Sequence, residues 1–419
     1  MKFSVHFPGA VNSTFTPSLA SALSRPNEKD ALSTYRILDQ DGTIVDSSES
    51  PLDITPEELL KMYTDMVTVS IMDLIMFDAQ RQGRISFYMV SAGEEGIAVG
   101  SASALNPADP IFAQYRETGI FQHRGFTLPD FMNQLFATKH DPGRGRNMPV
   151  HYGSTAKHMH TISSPLATQI PQASGAAYAV KIQNQTSASS PKRVVACYFG
   201  EGAASEGDFH AGLNIAATRN CPIIFLCRNN GYAISTPTLE QYRGDGIASR
   251  GVGYGIDTIR VDGNDVLAVR AATAKAREIA LSGEGGKPVL VEAMSYRVSH
   301  HSTSDDSFAY RARVEVEDWK RRDNPITRLR KYLEGRGLWD EEREKVLRSE
   351  TRKAVLEAYR VAEKEKKGPV RYMMTDVYEY VTEEQRTQME RLEGIVRKYP
   401  AEYDLGEFEE GVDGLRFQD

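Results

Sequence analysis

The chain has 419 residues, of which 40% are hydrophobic and 26% charged, with 50 basic against 57 acidic side chains and a net charge of −7. So much apolar content supports a sizeable core and excludes wholesale disorder, and the length suits one large α/β domain with extensions or two to three average domains. From Glu402 onward stand seven acids and one arginine, so the body before that tail is nearly neutral, which excludes a nucleic-acid-binding body, and no apolar run approaches the roughly 18 residues that span a membrane.

In chain order, residues 1–27 hold no acid and only Lys2 and Arg25 as bases, a composition faintly like a mitochondrial presequence but poor in arginine. Thr55-Pro56-Glu57-Glu58 predicts a helix start with an N-cap, proline in the first turn and a capping-box acid. Leu59, Tyr63, Met66, Val67, Ser70, Leu74 and Phe77 follow at helical spacing, so one face should pack on a sheet domain, and Gly83 ends the pattern. Gly93-Glu94-Glu95-Gly96 opens a small-residue helix through about Ala104. Residues 130–163, with Pro142, three glycines and several histidines, read as loop near a ligand rather than framework. Residues 187–192 (SASSPK) read as a surface insertion that tolerates deletion.

An apolar run at 194–199 then breaks at Gly200-Glu201-Gly202, a helix-length segment with Phe209, Leu213, Ala216 and Ala217 follows, and a second apolar run at 222–227 leads into Asn229-Asn230-Gly231. That spacing predicts a βαβ unit with parallel, buried strands. Cys197, Cys221 and Cys227 fall in or beside these strands without a CxxC pair, and read as small buried thiols, not a disulfide frame or zinc site. Strands at 258–261 and 289–294 with a helix at 266–281 add a second unit to a doubly wound, mostly parallel sheet. Asp340 should cap a helix with Val346, Leu347, Ala354, Val355, Ala358 and Ala362 on one face, stopped by Gly368-Pro369, and Thr382 with Gln385 forms another capping box. The expected division is an N-terminal extension at 1–54, an α/β domain at 55–315 and a helical region at 316–419.

Both central strands end in chemistry. Ligands bind at the carboxyl ends of parallel strands, and here one end carries a carboxylate between glycines while the other carries two asparagines. Glycines admit a phosphate close to the backbone, and a following helix N-terminus supplies amide donors. A hard cation such as Mg²⁺ takes oxygen ligands, and Glu201, Asn230 and the carbonyl of Tyr232 fit that need. A lone acid after a strand is more often an N-cap, and Asn-Gly is often only a turn; the two together, beside Arg228, favour the metal.

Gly200-Glu201-Gly202, 26 intervening residues and Asn229-Asn230 resemble the thiamine diphosphate motif, with glutamate where the general pattern has aspartate. YRETG at 115–119, SSPLATQIPQA at 163–173, GEGAASEGD at 200–208, CRNNGYAISTPT at 227–238 and HHSTSDDS at 300–307 together resemble the alpha subunits of branched-chain 2-oxo acid dehydrogenases, a likeness that runs from about Tyr35 almost to the C-terminus. The resemblance implies a thiamine diphosphate-binding fold with helical N- and C-terminal extensions. It implies diphosphate contacts from Tyr115, Arg116 and Arg228, turn contacts from Gly202 and Ala203, and Mg²⁺ on Glu201, Asn230 and the Tyr232 carbonyl. It sets the aminopyrimidine against Ser164 and Leu166, and K⁺ on Ser163, Pro165, Thr168 and Gln169. His301 is implied as the catalytic histidine beside the thiazolium, and Ser302 as an inhibitory phosphorylation site served by a regulatory kinase and phosphatase; a second such site is Ala312 here, which leaves single-site control.

One phosphate-binding half-motif without a second sheet module reads as half a site. The resemblance implies that a beta subunit completes it in an α2β2 heterotetramer, which passes the acyl group to the lipoyl arm of a dihydrolipoyl acyltransferase core in the mitochondrial matrix. A pyruvate dehydrogenase alpha subunit is the nearest alternative. A nicotinamide dehydrogenase would need GxGxxG, and Gly200-Glu201-Gly202 puts an acid where the pyrophosphate would approach. A non-catalytic scaffold subunit would be expected to have lost the metal ligands.

Overall fold

The computed structural model describes residues 14–24, 31–47, 54–186, 191–375 and 378–417. Strands β1 (Phe15–Thr16), β2 (Leu23–Ser24), β3 (Thr34–Tyr35), β4 (Ile111–Phe112), β5 (Val195–Gly200), β6 (Ile223–Asn229), β9 (Asp257–Asp262) and β10 (Pro288–Met294) make one sheet, ordered β1-β3-β9-β10-β6-β5-β4, with β2 paired antiparallel to β9. Every other pair is parallel. β7 (Tyr232–Ala233) and β8 (Thr236–Pro237) form a separate small hairpin.

Alternate residues of β5 serve opposite cores. Val195, Cys197 and Phe199 pack with the helices Gln169–Thr186 and Gly207–Arg219, while Ala196 and Tyr198 face the other layer with Val99 and Leu267. Both faces are therefore covered, which is why the strands read as unbroken apolar runs. The two helices of the first layer cross closely at Gly212, where an added Cβ would lie 2.7 Å from Ile170 Cγ2, and Ser174 Oγ donates to the Gly212 carbonyl at 2.9 Å. All three cysteines are fully buried.

The predicted strands and both βαβ units form, each strand within a residue or two of its expected ends. Thr55 caps the helix Pro56–Arg81 with a complete capping box to Glu58. As expected, this helix shares the core of the sheet layer, with Met62, Tyr63 and Met66 in one cluster with Tyr198 and Leu226. It packs mainly on the helices Glu95–Ala104, Thr118–His123, Pro325–Gly335 and Glu341–Lys364, and Leu74 is 67% exposed. Within 130–163 the expected loop begins later, because Thr127 and Asp130 form a capping box for the helix Leu128–Leu135. Asp340 caps the helix Glu341–Lys364, which buries Val355 and Ala362 and leaves Val346 54% exposed; it stops at Lys364, four residues before Gly368. Thr382 and Gln385 form the expected capping box of Glu383–Lys398. The SASSPK insertion lies mostly outside the described residues.

Two buried acids at the end of β9 tie the chain's ends to the sheet. Asp262 Oδ2 accepts from Arg36 Nε and Arg328 Nη1, both at 2.7 Å, joining the segment after β3 to the helix Pro325–Gly335. Asp265 caps the helix Val266–Ala280 through one oxygen and accepts from the Ile37 and Leu38 amides through the other, at 2.8 and 2.6 Å. Tyr332, Leu333, Val355 and Ala362 belong to the main core, whereas Met389, Val396 and Leu415 make a small cluster of their own.

Candidate active site

β5 and β6 lie side by side with Gly200 opposite Arg228, so the Glu201 turn and the Asn230 turn emerge together at the carboxyl edge of the sheet. Glu201 N–H donates to the Arg228 carbonyl at 3.1 Å, and Asn230 N–H donates to Glu201 Oε2 at 3.4 Å. Gly202 is needed where the turn meets the β7–β8 hairpin, since a Cβ there would sit 2.9 Å from Ala233 Cβ. A cavity of about 370 Å³ opens here, lined by Tyr115, Arg116, Leu166, Glu201, Gly202, Ala203, Arg228, Asn230, Tyr232 and His301. Residues chosen across 187 positions of sequence thus share one cavity wall.

Glu201 is 1% exposed and its Oε1 has no hydrogen-bond partner. Burial pushes its carboxyl up to about 7, with the nearby Glu94 adding to the rise. An orphaned, desolvated carboxylate oxygen facing a cavity is the state a bound cation would relieve. Asn230 Nδ2 donates to Glu94 Oε1 at 2.9 Å, and its Oδ1 accepts the Tyr232 N–H at 3.2 Å. Asn229 turns the other way: its Nδ2 donates to Tyr242 Oη at 2.9 Å and Glu292 Oε1 at 2.8 Å.

Two buried arginines face the same space. Arg228 donates through Nη1 to Glu94 Oε2 at 2.5 Å and pairs through Nε with Glu117. Arg116 donates through Nη1 to the Val90 carbonyl and through Nη2 to the His301 carbonyl, both at 2.6 Å. Its Nη2 also lies 3.2 Å from His301 Nδ1, and Tyr115 meets the imidazole edge to face at 6.2 Å. Burial, with Arg116 and Arg297 close by, takes His301 down to about 3. The ring is therefore neutral at pH 7, not poised for titration there. Because the Arg116 guanidinium can only donate, Nδ1 accepts and Nε2 carries the proton.

The 163–169 loop stands beside this cavity. Thr168 Oγ1 donates to the Pro165 carbonyl at 3.0 Å and lies 3.4 Å from Ser163 Oγ, while Gln169 Nε2 donates to the Tyr198 carbonyl at 2.9 Å. Ser164 does not line the cavity; its hydroxyl sits 2.9 Å from His151 Nε2. Ser302 is half-buried in the loop after His301, with its Oγ accepting the Ser304 N–H at 3.3 Å, and Asp305 Oδ2 accepts the His301 N–H at 2.7 Å.

Sequence reasoning missed Glu94 and Glu117. Glu94 precedes the helix Glu95–Ala104 and makes no side-chain cap there; its carboxylate turns to Arg228 and Asn230 instead, and Arg228 with Arg116 outweighs burial to hold it below the usual carboxylate range. Nothing in two adjacent acids between glycines distinguishes a buried ion pair from a solvated turn. Glu117 was in view within YRETG, yet only its fully buried position gives it a role.

A family model described as "Dehydrogenase E1 component" matches residues 63–371. The chain belongs to the dehydrogenase E1 component family and, within it, to the 2-oxoisovalerate dehydrogenase alpha subunits. It is 53% identical to the mouse "2-oxoisovalerate dehydrogenase subunit alpha, mitochondrial" over 403 residues, 96% of this chain and 88% of that protein. The human protein of the same name is 52% identical, again over 96% of this chain and 88% of its own length. The Caenorhabditis elegans protein is 49% identical over 96% of this chain and 91% of its length.

Proposed function

We propose that this chain is the alpha subunit of a mitochondrial 2-oxoisovalerate dehydrogenase, the decarboxylating component for branched-chain 2-oxo acids, and that its cavity holds the diphosphate end of thiamine diphosphate through Mg²⁺. The observation that carries the reading is the unpartnered Oε1 of buried Glu201 beside two buried arginines. Glu201 and Asn230 Oδ1, with the Tyr232 carbonyl, would hold Mg²⁺; Arg116, Arg228 and Tyr115 would meet the diphosphate, with Gly202 and Ala203 as the close backbone approach. Leu166, on the cavity wall, would meet the aminopyrimidine together with Ser164 of the same loop, whose hydroxyl now rests on His151 outside the cavity lining. Ser163, Pro165, Thr168 and Gln169 would place K⁺ in the loop behind it, a reading supported by the convergence of the Ser163, Pro165 and Thr168 oxygens.

When bound, thiamine diphosphate supplies the nucleophile and electron sink for decarboxylating a 2-oxo acid. His301, neutral and protonated at Nε2, serves as a hydrogen-bond donor to the reacting oxygen, held in that tautomer by Arg116. A His301→Ala variant should keep cofactor retention but lose about 10²–10⁴-fold in acyl transfer to a lipoyl acceptor; normal turnover would refute the role. Ser302 is the regulatory position: a phosphate there adds up to about two negative charges beside Asp305 and close to the diphosphate, which repels both.

A beta subunit completes the site in an α2β2 heterotetramer that hands its acyl group to a lipoyl-bearing acyltransferase core. Exposed Ile234, in the hairpin turn at the cavity wall, is compatible with such a cover. The test is 2-oxo acid decarboxylation with thiamine diphosphate and Mg²⁺, with and without the beta subunit, comparing 3-methyl-2-oxobutanoate with pyruvate. Activity only with the partner, and faster on the branched acid, is expected. Faster turnover of pyruvate would move the substrate assignment to the pyruvate enzyme, and full activity of the chain alone would overturn the half-site.

A further inference from the structure

Glu94 touches three of the residues just assigned to the cofactor, from two different segments. Its Oε2 accepts Arg228 Nη1 at 2.5 Å, its Oε1 accepts Asn230 Nδ2 at 2.9 Å, and Arg116 Nε lies 3.9 Å from the same oxygen. The side chain is 1% exposed and does not line the cavity, so it touches neither solvent nor the space a ligand would fill.

An ionised carboxylate accepts hydrogen bonds and cannot donate. The Asn230 amide must therefore turn its NH₂ toward Glu94, which leaves Oδ1 as the atom with a free lone pair. Without Glu94 the amide can rotate and offer two N–H donors to a cation, which is repulsive. Its negative charge also balances Arg228 and Arg116 and competes with an incoming diphosphate for their donors. The same carboxylate thus acts with opposite sign on the two halves of a metal–diphosphate ligand: it favours the cation and opposes the free anion.

We propose that Glu94 is a positioning residue that fixes the amide of Asn230 with its oxygen free for Mg²⁺ and tempers the two arginines, so that diphosphate is held firmly only together with the metal. The inference rests on the cofactor reading above. Its test uses the full chain with its beta subunit, inorganic diphosphate and Mg²⁺ as separate titrants, and the variants Glu94→Gln and Glu94→Asp, each checked first for an unchanged thermal midpoint.

For Glu94→Gln the Mg²⁺ concentration for half-saturation in the presence of thiamine diphosphate should rise about 10- to 100-fold, the usual cost of losing a group that orients a metal ligand. Binding of inorganic diphosphate without metal should instead tighten several-fold, because the two arginines no longer share their donors with a buried carboxylate. Glu94→Asp keeps the charge but cannot span Arg228 and Asn230 from its shorter arm; it should weaken Mg²⁺ without the gain for diphosphate, and it carries the test alone if the glutamine variant does not fold. Parallel weakening of both titrants, or no change in either, would overturn the proposal. A wild-type protein that binds neither would instead overturn the cofactor reading.

Discussion

Glu201→Ala should abolish Mg²⁺-dependent retention of thiamine diphosphate while the protein still folds. Groups that merely orient a metal ligand are worth about 10–100-fold in affinity, and Glu201 is placed as the charged ligand itself, so its loss should exceed that range. Folding should survive because the Oε1 of Glu201 has no partner to lose and burial of the carboxyl is a cost, not a gain. The pH dependence has a definite sign. With its carboxyl raised from 4.5 to about 7, the metal-free folded chain holds a proton across that window that the unfolded chain has released. This group's contribution to stability is therefore present at low pH and lost as pH rises through about 7. Mg²⁺ needs the carboxylate, so loading expels that proton below pH 7, and affinity should climb about tenfold per pH unit up to 7 and then level off. Isothermal titration with Mg²⁺ between pH 5.5 and 8 reads both effects, and Glu201→Gln should flatten the profile. Full retention of cofactor by Glu201→Ala would remove the metal assignment.

The largest loss of stability should come from a residue remote from the chemistry. Asp262 is fully buried at the end of β9; burial alone would raise its carboxyl, but Arg328 and Arg36 outweigh it and hold it below the usual carboxylate range. Asp262→Ala takes the carboxylate from Arg36 and one of two from Arg328, which keeps Asp323, and each guanidinium already has a nitrogen without a partner, Arg36 Nη2 and Arg328 Nε. Removing one member of a buried ion pair typically costs about 3–5 kcal/mol, because the surviving charge is left uncompensated. Asp262→Asn, which keeps the shape and one acceptor, should cost less. Urea unfolding followed by circular dichroism orders the two variants and the parent; coincident midpoints would show that the cluster contributes nothing net. The same chemistry gives Asp262 its pH signature: its stabilisation is present at neutral pH and is lost on acidification through its lowered range.

The main architecture was legible because it is local. Runs such as 194–199 and 289–294 announce buried strands, and Thr55, Asp340 and Thr382 announce helix starts, because each signal is confined to neighbours a few residues apart. The residues proposed for the cofactor were picked out through the resemblance and through a spacing that two adjacent parallel strands impose, and ten of them line one cavity. Three kinds of feature were not. Strands of two residues, such as β1, β3 and β4, are too short to carry a period. Apolar residues at the right spacing, such as Leu74 and Val346, can lie at the edge of a face and end up exposed, because the width of the face is set by the partner and not by the helix. Glu94 acts across 134 residues on Arg228, and no local pattern encodes so distant a partner.

The three cysteines have a practical implication. Cys197 and Cys227 lie on the two adjacent central strands and Cys221 just before the second, and burial pushes all three thiols up, so none forms thiolate readily in the folded chain. Oxidants and alkylating agents meet them only when the middle of the sheet comes apart. The molecule thus carries an internal clock for its own opening, since the pace at which its sulfur atoms become reactive follows the pace at which the strands that hold the active site separate.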